Sequence, residues 1–561
     1  MKIAVAQQNY HIGNFEYNQK KIIEAIEKVK TQKVDLIVFS ELCICGYPPR
    51  DFLFYEDFIN ECQKSLLEIA SHTQEIGALV GCPSRNPKQE GKNLFNSAFL
   101  LYNGKVIDVV HKSLLPTYDI FDEYRYFEQA DEWHVMNFKN KKIAVTICED
   151  LWNLGDDPLY KICPMDKLIT QHPDLMINLS ASPFDYTHRE IRKAILKKNV
   201  KKYKLPLVYC NTIGAQTEII FDGGSLAFDI HQNIILEASY FKEEISIFEL
   251  NDKGNFEQNI VKESSCISED ELIPQSLDCN FNIEEIYEAL ILGIKDYFDK
   301  MGFKKAILGS SGGIDSAVAL VLACNALGEE NVMAVLMPSQ YSSEHSVSDA
   351  EQLSINLKNP YQIIPIKNIY ESFLEELKPL YKDLPFNVAE ENIQARTRGN
   401  LLMAIANKFN YILLNTSNKS ECAVGYGTLY GDMAGGLALL GDLYKTQVYA
   451  LANFINKEKE IIPKHIINKA PSAELRPNQK DSDSLPDYST LDAILYQYIE
   501  LNKSSSELIA QGYEKELVLR ILNMVSRNEY KRNQFCPILR ISPKSFGTGR
   551  KMRIVAKYDF K

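Results

Sequence analysis

Short apolar runs, each closed by a polar or glycine-containing stretch, set the rhythm of the first half of the chain. Residues 2–7 alternate as a short strand and do not have the make-up of a secretion signal. Over residues 18–30, Ile22, Ile23, Ile26 and Val29 share one helical face. Residues 34–39 are a continuous apolar run, expected to be a buried strand that delivers Ser40 and Glu41 at its C-terminal end. Further strands are predicted over 78–82, 97–101, 106–110, 142–147, 174–183, 207–211 and 225–228, with Asn103-Gly104 as a hairpin turn. The basic stretch 192–204 is expected to be the wet face of a helix. Periodicity fades over 251–280, where polar and acidic residues dominate, as in an interdomain connection. It returns as a helix over 283–298. Strands predicted at 306–308, 332–337, 361–366 and 411–415 then alternate with helical segments such as 317–327. That alternation indicates a parallel sheet with helices on both faces.

Length and composition narrow the classes. A chain of 561 residues exceeds what one core supports, so two domains are expected: 1–262, a linker at 263–280, and 281–561. The net charge of −12 argues against a nucleic-acid binder or a protein of anionic membrane surfaces. No apolar run is long enough to span a bilayer. The 12 cysteines are scattered and never spaced Cys-x-x-Cys, which points to reduced thiols in the cytoplasm, not to a disulfide framework or a zinc site. Repeats and low-complexity tracts are absent.

Three of the predicted strands end in reactive side chains: Glu41, Lys112 and Cys148. A lone glutamate at a strand end is usually a solvated acid, and a lone cysteine is usually buried and inert. The three together, within Glu41-Leu-x-x-x-Gly-Tyr47, Lys112-x-x-Leu-Pro116 and Ile147-Cys-Glu-Asp150, resemble the nitrilase superfamily, whose triad runs Glu, Lys, Cys in this order. The chemistry needs those types. A thiolate attacks an amide carbonyl, and a neighbouring ammonium favours it and steadies the tetrahedral oxyanion. A carboxylate takes the thiol proton, passes it to leaving ammonia and then activates water. In glutamine-using members, the tyrosine after Lys-x-x-Leu-Pro and the serine of Ser-Pro line the glutamine pocket. Tyr118 and Ser182 match those positions. A basic residue six beyond that serine is usual; this chain has His188 there and Arg189 next to it, and the resemblance leaves both open as glutamine ligands.

In the second half, Gly309-Ser310-Ser311-Gly312-Gly313-Ile314-Asp315-Ser316 lies between an apolar run and a helical one. Glycines there free backbone N–H groups to face an anion, and the helix start adds positive dipole. The loop is not a Walker A sequence, since no lysine precedes the closing serine. It does fit Ser-Gly-Gly-x-Asp-Ser, the loop of the ATP pyrophosphatases. A carboxylate beside phosphates is costly unless a divalent cation separates them. Met337-Pro-Ser-Gln-Tyr-Ser-Ser343, Glu391-Asn-Ile-Gln-Ala-Arg-Thr-Arg-Gly399, Asn415-Thr-Ser-Asn-Lys-Ser-Glu421, the 424–432 segment and Gly441-Asp-Leu-Tyr-Lys-Thr446 together resemble NAD synthetases. The glycines at 425, 427 and 431 lack the spacing and preceding strand of a dinucleotide fingerprint. The Pro/Asp/Ser-rich stretch 471–486 matches a mobile segment of that family near the ATP site. Glu529-Tyr-Lys-Arg532 and Ser545-Phe-Gly-x-Gly-Arg550 match too, whereas Phe535-Cys536-Pro537 stands where a double proline is usual.

With both halves, the chain resembles the glutamine-dependent NAD synthetase family over nearly its full length. The resemblance implies an N-terminal nitrilase-like α-β-β-α sandwich and a C-terminal Rossmann-like parallel-sheet ATP pyrophosphatase domain. It implies glutamine, ATP and deamido-NAD as substrates, Mg²⁺ as cofactor, an acyl-adenylate route releasing pyrophosphate and then AMP, a dry ammonia channel, and a homo-oligomer. It assigns the loop 309–316, Thr416 and Lys445 to ATP; Asn392, Glu421 and Lys531 to deamido-NAD; and Asp315 and Glu421 to Mg²⁺. A glutamine-dependent ligase for another carboxylic acid would differ in its product. A non-catalytic protein with a dead nitrilase domain would not hydrolyse glutamine, and the intact Glu41, Lys112, Cys148 and Asp315 argue against it.

Overall fold

The structure is a computed structural model that describes residues 1–154, 158–251, 274–477, 479, 481–483, 485–558 and 560. Most of the expected linker, 263–273, lies outside the described residues. The chain divides into two compact units, Met1–Ile273 and Pro274–Lys561. Among the described residues no helix is long and apolar enough to cross a membrane.

The first unit holds two six-stranded sheets. One is built from β1 (Lys2–Gln7), β2 (Leu36–Val38), β3 (Gly77–Arg85), β4 (Leu94–Tyr102), β5 (Lys105–His111) and, arriving last in sequence, Glu244–Glu249 beside β1. The other contains β6 (Met136–Phe138), β7 (Lys141–Ile147), β8 (Leu175–Ser180), β9 (Leu207–Asn211), β12 (Leu226–Phe228) and β13 (Ile234–Glu237). The hairpin β10 (Ile213–Gln216) and β11 (Ile219–Asp222) stands apart from both sheets, and the closing strand is β14. The two-residue period of a strand sorts the side chains into layers. Ile3, Val5, Leu36 and Val38 meet Ile143, Val145, Ile177 and Leu179 between the sheets. Ala4, Ala6 and Ile37 face the other way, onto α1 (Phe15–Lys30) and α2 (Glu56–Ser71). Ala144, Met176 and Leu207 pack on α3 (Pro164–Leu168) and α4 (His188–Tyr203). The result is the expected α-β-β-α sandwich.

Arg192 departs from expectation. It lies on the basic helix α4 but is buried, donating to Asp222 Oδ2 at 2.6 Å and to Gly223 O at 2.8 Å. A helix face otherwise wet tolerates this inward cation because an equally buried carboxylate pairs with it.

The second unit carries one all-parallel sheet in the order β17 (Tyr361–Ile363), β16 (Val332–Leu336), β15 (Ala306–Gly309), β18 (Ile412–Asn415) and β19 (Leu437–Ala438). The helices are α5 (Ile283–Met301), α6 (Ile314–Leu327), α7 (Glu344–Leu357), α8 (Lys367–Tyr381), α9 (Val388–Phe409), α10 (Lys419–Val424), α11 (Lys445–Ile455) and α12 (Lys464–Asn468), with a further group after residue 487. Ile307, Val335 and Leu413 pack against Leu402 and Ala406 of α9, while α6 and α7 pack on β15 and β16. The strand expected over 361–366 stops at Ile363, because Lys367 already starts α8.

Candidate active sites

In the first unit the reactive residues sit where strands stop. Glu41 follows β2, Lys112 follows β5, and Cys148 follows β7 and opens the 3₁₀ turn Cys148–Leu151. Cys148 has a φ of +42°, a conformation that side-chain-bearing residues adopt at a cost and that recurs at functional turns. Asp150 holds this turn. Its Oδ2 accepts the Ile147 N–H at 3.0 Å, and its Oδ1 accepts the N–H groups of Ser113 and Leu114 at 3.0 and 2.9 Å. One buried carboxylate therefore fixes the ends of both strands that carry Lys112 and Cys148. Burial pushes the Asp150 carboxyl up to about 7, against the pull of those three donors.

Lys112 is fully buried, and its Nζ donates to Glu41 Oε1 at 2.8 Å and to Glu123 Oε1 at 2.7 Å. Glu41 also accepts from Asn96 Nδ2 at 2.7 Å and from the Ala181 N–H at 3.1 Å. Burial alone would strip the lysine of its proton, but Glu123 and Glu41 hold its pKa well above the ordinary value. Burial raises the Cys148 thiol well above its ordinary range, Glu41 adds to this, and Lys112 opposes it. Cys148 at rest is therefore a thiol, and a base has to take its proton before it can attack.

Glu123 is the residue that sequence reasoning missed. It belongs to no strand end and no apolar period, yet it is buried, takes the Tyr47 O–H at 2.8 Å, and is pushed up to about 7 by burial. Its Oε2 has no hydrogen bond among the described residues.

Tyr118 donates its O–H to both oxygens of Glu149, each at 3.0 Å, beside the nucleophile in sequence. Ser182 is buried with its Oγ 2.8 Å from His188 Nε2, and the His188 ring stacks on Trp152 at 4.9 Å between centroids. Arg189 is engaged elsewhere, 3.2 Å from Glu237 and 4.0 Å over the Tyr240 ring. Of the two basic residues left open by the sequence, His188 is the one brought to Ser182.

In the second unit the glycine-rich loop joins β15 to α6 and lines a cavity of about 300 Å³. Gly312 has a φ of +76°, and a Cβ there would lie 2.2 Å from Ser346 O, so only glycine fits. Ser316 Oγ accepts the Ser311 N–H at 3.2 Å and donates to Gly313 O at 3.0 Å, tying the loop to the first turn of α6.

Asp315 faces Lys445 at 2.5 Å and Asn418 Nδ2 at 2.9 Å, and Glu421 lies 3.5 Å from the same Lys445 Nζ. Burial and then the Asp315 carboxylate push Glu421 up to about 8. Burial would lower Lys445, but Asp315 and Glu421 raise it above its ordinary value. Thr416, Asp481 and residues 471–475 also line the cavity. Glu474 straps that last segment down through Ser346 Oγ at 2.8 Å and Lys469 at 2.7 Å.

Asn392 and Lys531 do not line the cavity. They hold the 425–428 segment at its margin, Asn392 through Thr428 Oγ1 at 2.7 Å and Lys531 through the carbonyls of Gly425 and Gly427 at 2.7 and 2.8 Å. Among the described residues no group of three or more His, Cys, Asp or Glu side chains is arranged to hold a metal. Asp315 and Glu421, both brought to the Lys445 Nζ at 2.5 and 3.5 Å, are the residues that would hold a divalent cation.

Comparison with known proteins agrees with both halves. Residues 2–254 match the carbon-nitrogen hydrolase family model, and residues 286–535 match the NAD synthase model. A glutamine-dependent NAD(+) synthetase of a Synechocystis species is 43% identical over 99% of both chains. One from Thermotoga maritima is 39% identical over 100% of this chain and 99% of its own. The solved structure of the glutamine-dependent NAD+ synthetase from Acinetobacter baumannii, in complex with adenosine diphosphate, is 37% identical and covers 99% of this chain and 98% of its own, with a TM-score of 0.76. End to end, with a carbon-nitrogen hydrolase unit followed by an NAD synthase unit, the chain belongs to the glutamine-dependent NAD(+) synthetase family.

Proposed function

We propose that the chain hydrolyses glutamine at Cys148 and uses the ammonia at its second unit to convert deamido-NAD to NAD, with ATP split to AMP and pyrophosphate. The observation that carries this reading is the buried Glu41–Lys112 pair set at the strand ends beside Cys148, in a chain that matches its named relatives throughout. Glu41 takes the Cys148 proton and the thiolate adds to the glutamine amide carbon. Lys112 steadies the oxyanion, and Glu123 keeps Lys112 charged. Glu41 returns the proton to departing ammonia, then activates the water that opens the thioester. Tyr118, Ser182 and His188 frame the glutamine.

In the second unit the loop 309–316 and Thr416 hold ATP, and Lys445 supplies a cation. Asn392, Glu421 and Lys531 meet deamido-NAD. Asp315 and Glu421 would hold Mg²⁺, which supplies charge neutralisation for the departing pyrophosphate. The nicotinate carboxylate forms a bond to the α-phosphorus as the bond to the bridging oxygen breaks. Ammonia then displaces AMP. Neutral ammonia made on the same chain avoids the ammonium form that dominates in bulk water, and sheltered passage between the two sites would keep it neutral.

The division at 1–262, 263–280 and 281–561 is proposed as the domain plan, with action in the cytoplasm. A homo-oligomer is proposed because α8 buries only Tyr370 and leaves Phe373 and Leu380 exposed.

The test supplies purified protein with deamido-NAD, ATP and Mg²⁺, and with glutamine or ammonium. NAD and AMP in equal amounts from either nitrogen source are expected. Glutamine hydrolysis and AMP without NAD would move the acceptor to another carboxylic acid. Turnover of neither glutamine nor ATP would overturn the reading.

A further inference from the structure

Among the described residues three cations line the cavity of the second unit: Lys445, Lys469 and Arg398. The first two are already matched. Lys445 is paired with Asp315 and Glu421, and Lys469 with Glu474. Arg398, on α9, makes a single hydrogen bond among the described residues, from its Nε to Met337 O at 3.0 Å, and no ion pair. The carboxylates in its field are held by others: Asp432 accepts the Thr428 N–H at 2.6 Å, and Glu474 is taken by Lys469 and Ser346. Burial lowers the Arg398 pKa to about 10, with Asp432 and Glu474 opposing the shift. Arg398 is only part-exposed, and a guanidinium drawn out of water without an anion is costly, so a ligand anion would complete it. Its Nε bond fixes the plane of the group and leaves four N–H donors for the cavity, a fork that matches two oxygens of one phosphate. Met337 directly follows β16, the strand paired with β15, so Arg398 is anchored one strand away from the glycine-rich loop.

We propose that Arg398 binds the α-phosphate of ATP and stabilises it while the adenylyl group is transferred. This rests on the reading of the second unit as the adenylating site. As the carboxylate oxygen bonds to the α-phosphorus and pyrophosphate leaves with the electron pair of the broken P–O bond, charge shifts across the α-phosphate oxygens. Lys445 and Lys469 are shared with paired carboxylates, whereas Arg398 makes no ion pair among the described residues.

The test is steady-state kinetics of ammonium-driven NAD synthesis by the full chain, which bypasses the glutaminase. Wild type, Arg398→Ala and Arg398→Lys are compared, with and without added guanidinium far below denaturing concentrations, and thermal unfolding checks each fold. Arg398→Ala is expected to lose about 100-fold in kcat, as for removal of a transition-state donor. Guanidinium should restore part of it, Arg398→Lys should fall between, and KM for deamido-NAD should stay within about twofold of wild type, since uniform binding is not what is lost. Unchanged kcat and KM for ATP would overturn the assignment. So would a loss confined to KM for deamido-NAD, or a loss that neither guanidinium nor lysine relieves, the mark of an arginine that only holds the fold. If wild type itself forms no NAD, the proposed function fails, a result distinct from each of these.

Discussion

Lys112 is held between two carboxylates, and only one of them, Glu41, could be picked out of the sequence. Glu41 stands at the end of an apolar run within a recognisable word, whereas Glu123 lies in a polar stretch and owes its burial to chain folding from elsewhere. The account gives both a task, so Glu123→Gln, which keeps the shape and removes the charge, should lower glutamine hydrolysis by about 100-fold, a size typical of a lost charged partner at a reacting site. Ammonium-driven NAD synthesis by the same variant should be unchanged, and equal rates with glutamine would show that Glu123 has no part in the chemistry. His188 and Arg189 make a similar point: adjacent in sequence and alike in charge, they are separated by helix geometry, which turns one to Ser182 and the other to Glu237 and Tyr240. In the second unit, Glu421 is raised to about 8 from the ordinary 4.5. The folded state therefore keeps a proton that the unfolded state has lost, and this contribution to stability is complete below the unfolded pKa and disappears as pH rises through about 8. Added Mg²⁺ should raise the Tm more at roughly pH 9 than at roughly pH 6, because it takes over the neutralisation that the proton provided. Glu421→Gln should flatten that difference, and a Mg²⁺ effect of equal size at both pH values in wild type would count against a site at Asp315 and Glu421.

The central strands of both units were legible as elements because they are buried on both faces and read as apolar runs. Edges were not. β14 alternates Glu, Ser and Glu with apolar residues and is half-exposed, so it carries too little apolar signal, and β19 is only two residues long. The hairpin β10–β11 also went unread, since its turn, Thr217-Glu218, carries no glycine, proline or asparagine signal. The glycine-rich loop was legible because its glycines answer to geometry. Gly312→Ala places a methyl group against Ser346 O and a side chain at positive φ, so it should cost about 1–3 kcal/mol of stability. It should also raise KM for ATP by shifting the backbone N–H groups. Unfolding and ATP kinetics indistinguishable from wild type would mean that the loop does not need this conformation.

For the whole molecule, the chain forms two compact units, and the family comparison spans both. That the chain exceeds one core was legible from its length, while surface features were not, because an exposed apolar residue looks like a core residue until the fold is known. Phe373 and Leu380 illustrate this at 43% and 74% exposure on α8. Charging that face with Phe373→Glu and Leu380→Glu should lower the mass seen by light scattering, and an unchanged mass would place the subunit contact elsewhere or remove it. The most direct test of the two-site account is NAD synthesis by Cys148→Ala with each nitrogen source. The account predicts that glutamine no longer supports NAD formation while ammonium supports it at the wild-type rate. Loss of both in a folded variant, or survival of glutamine use, would contradict it.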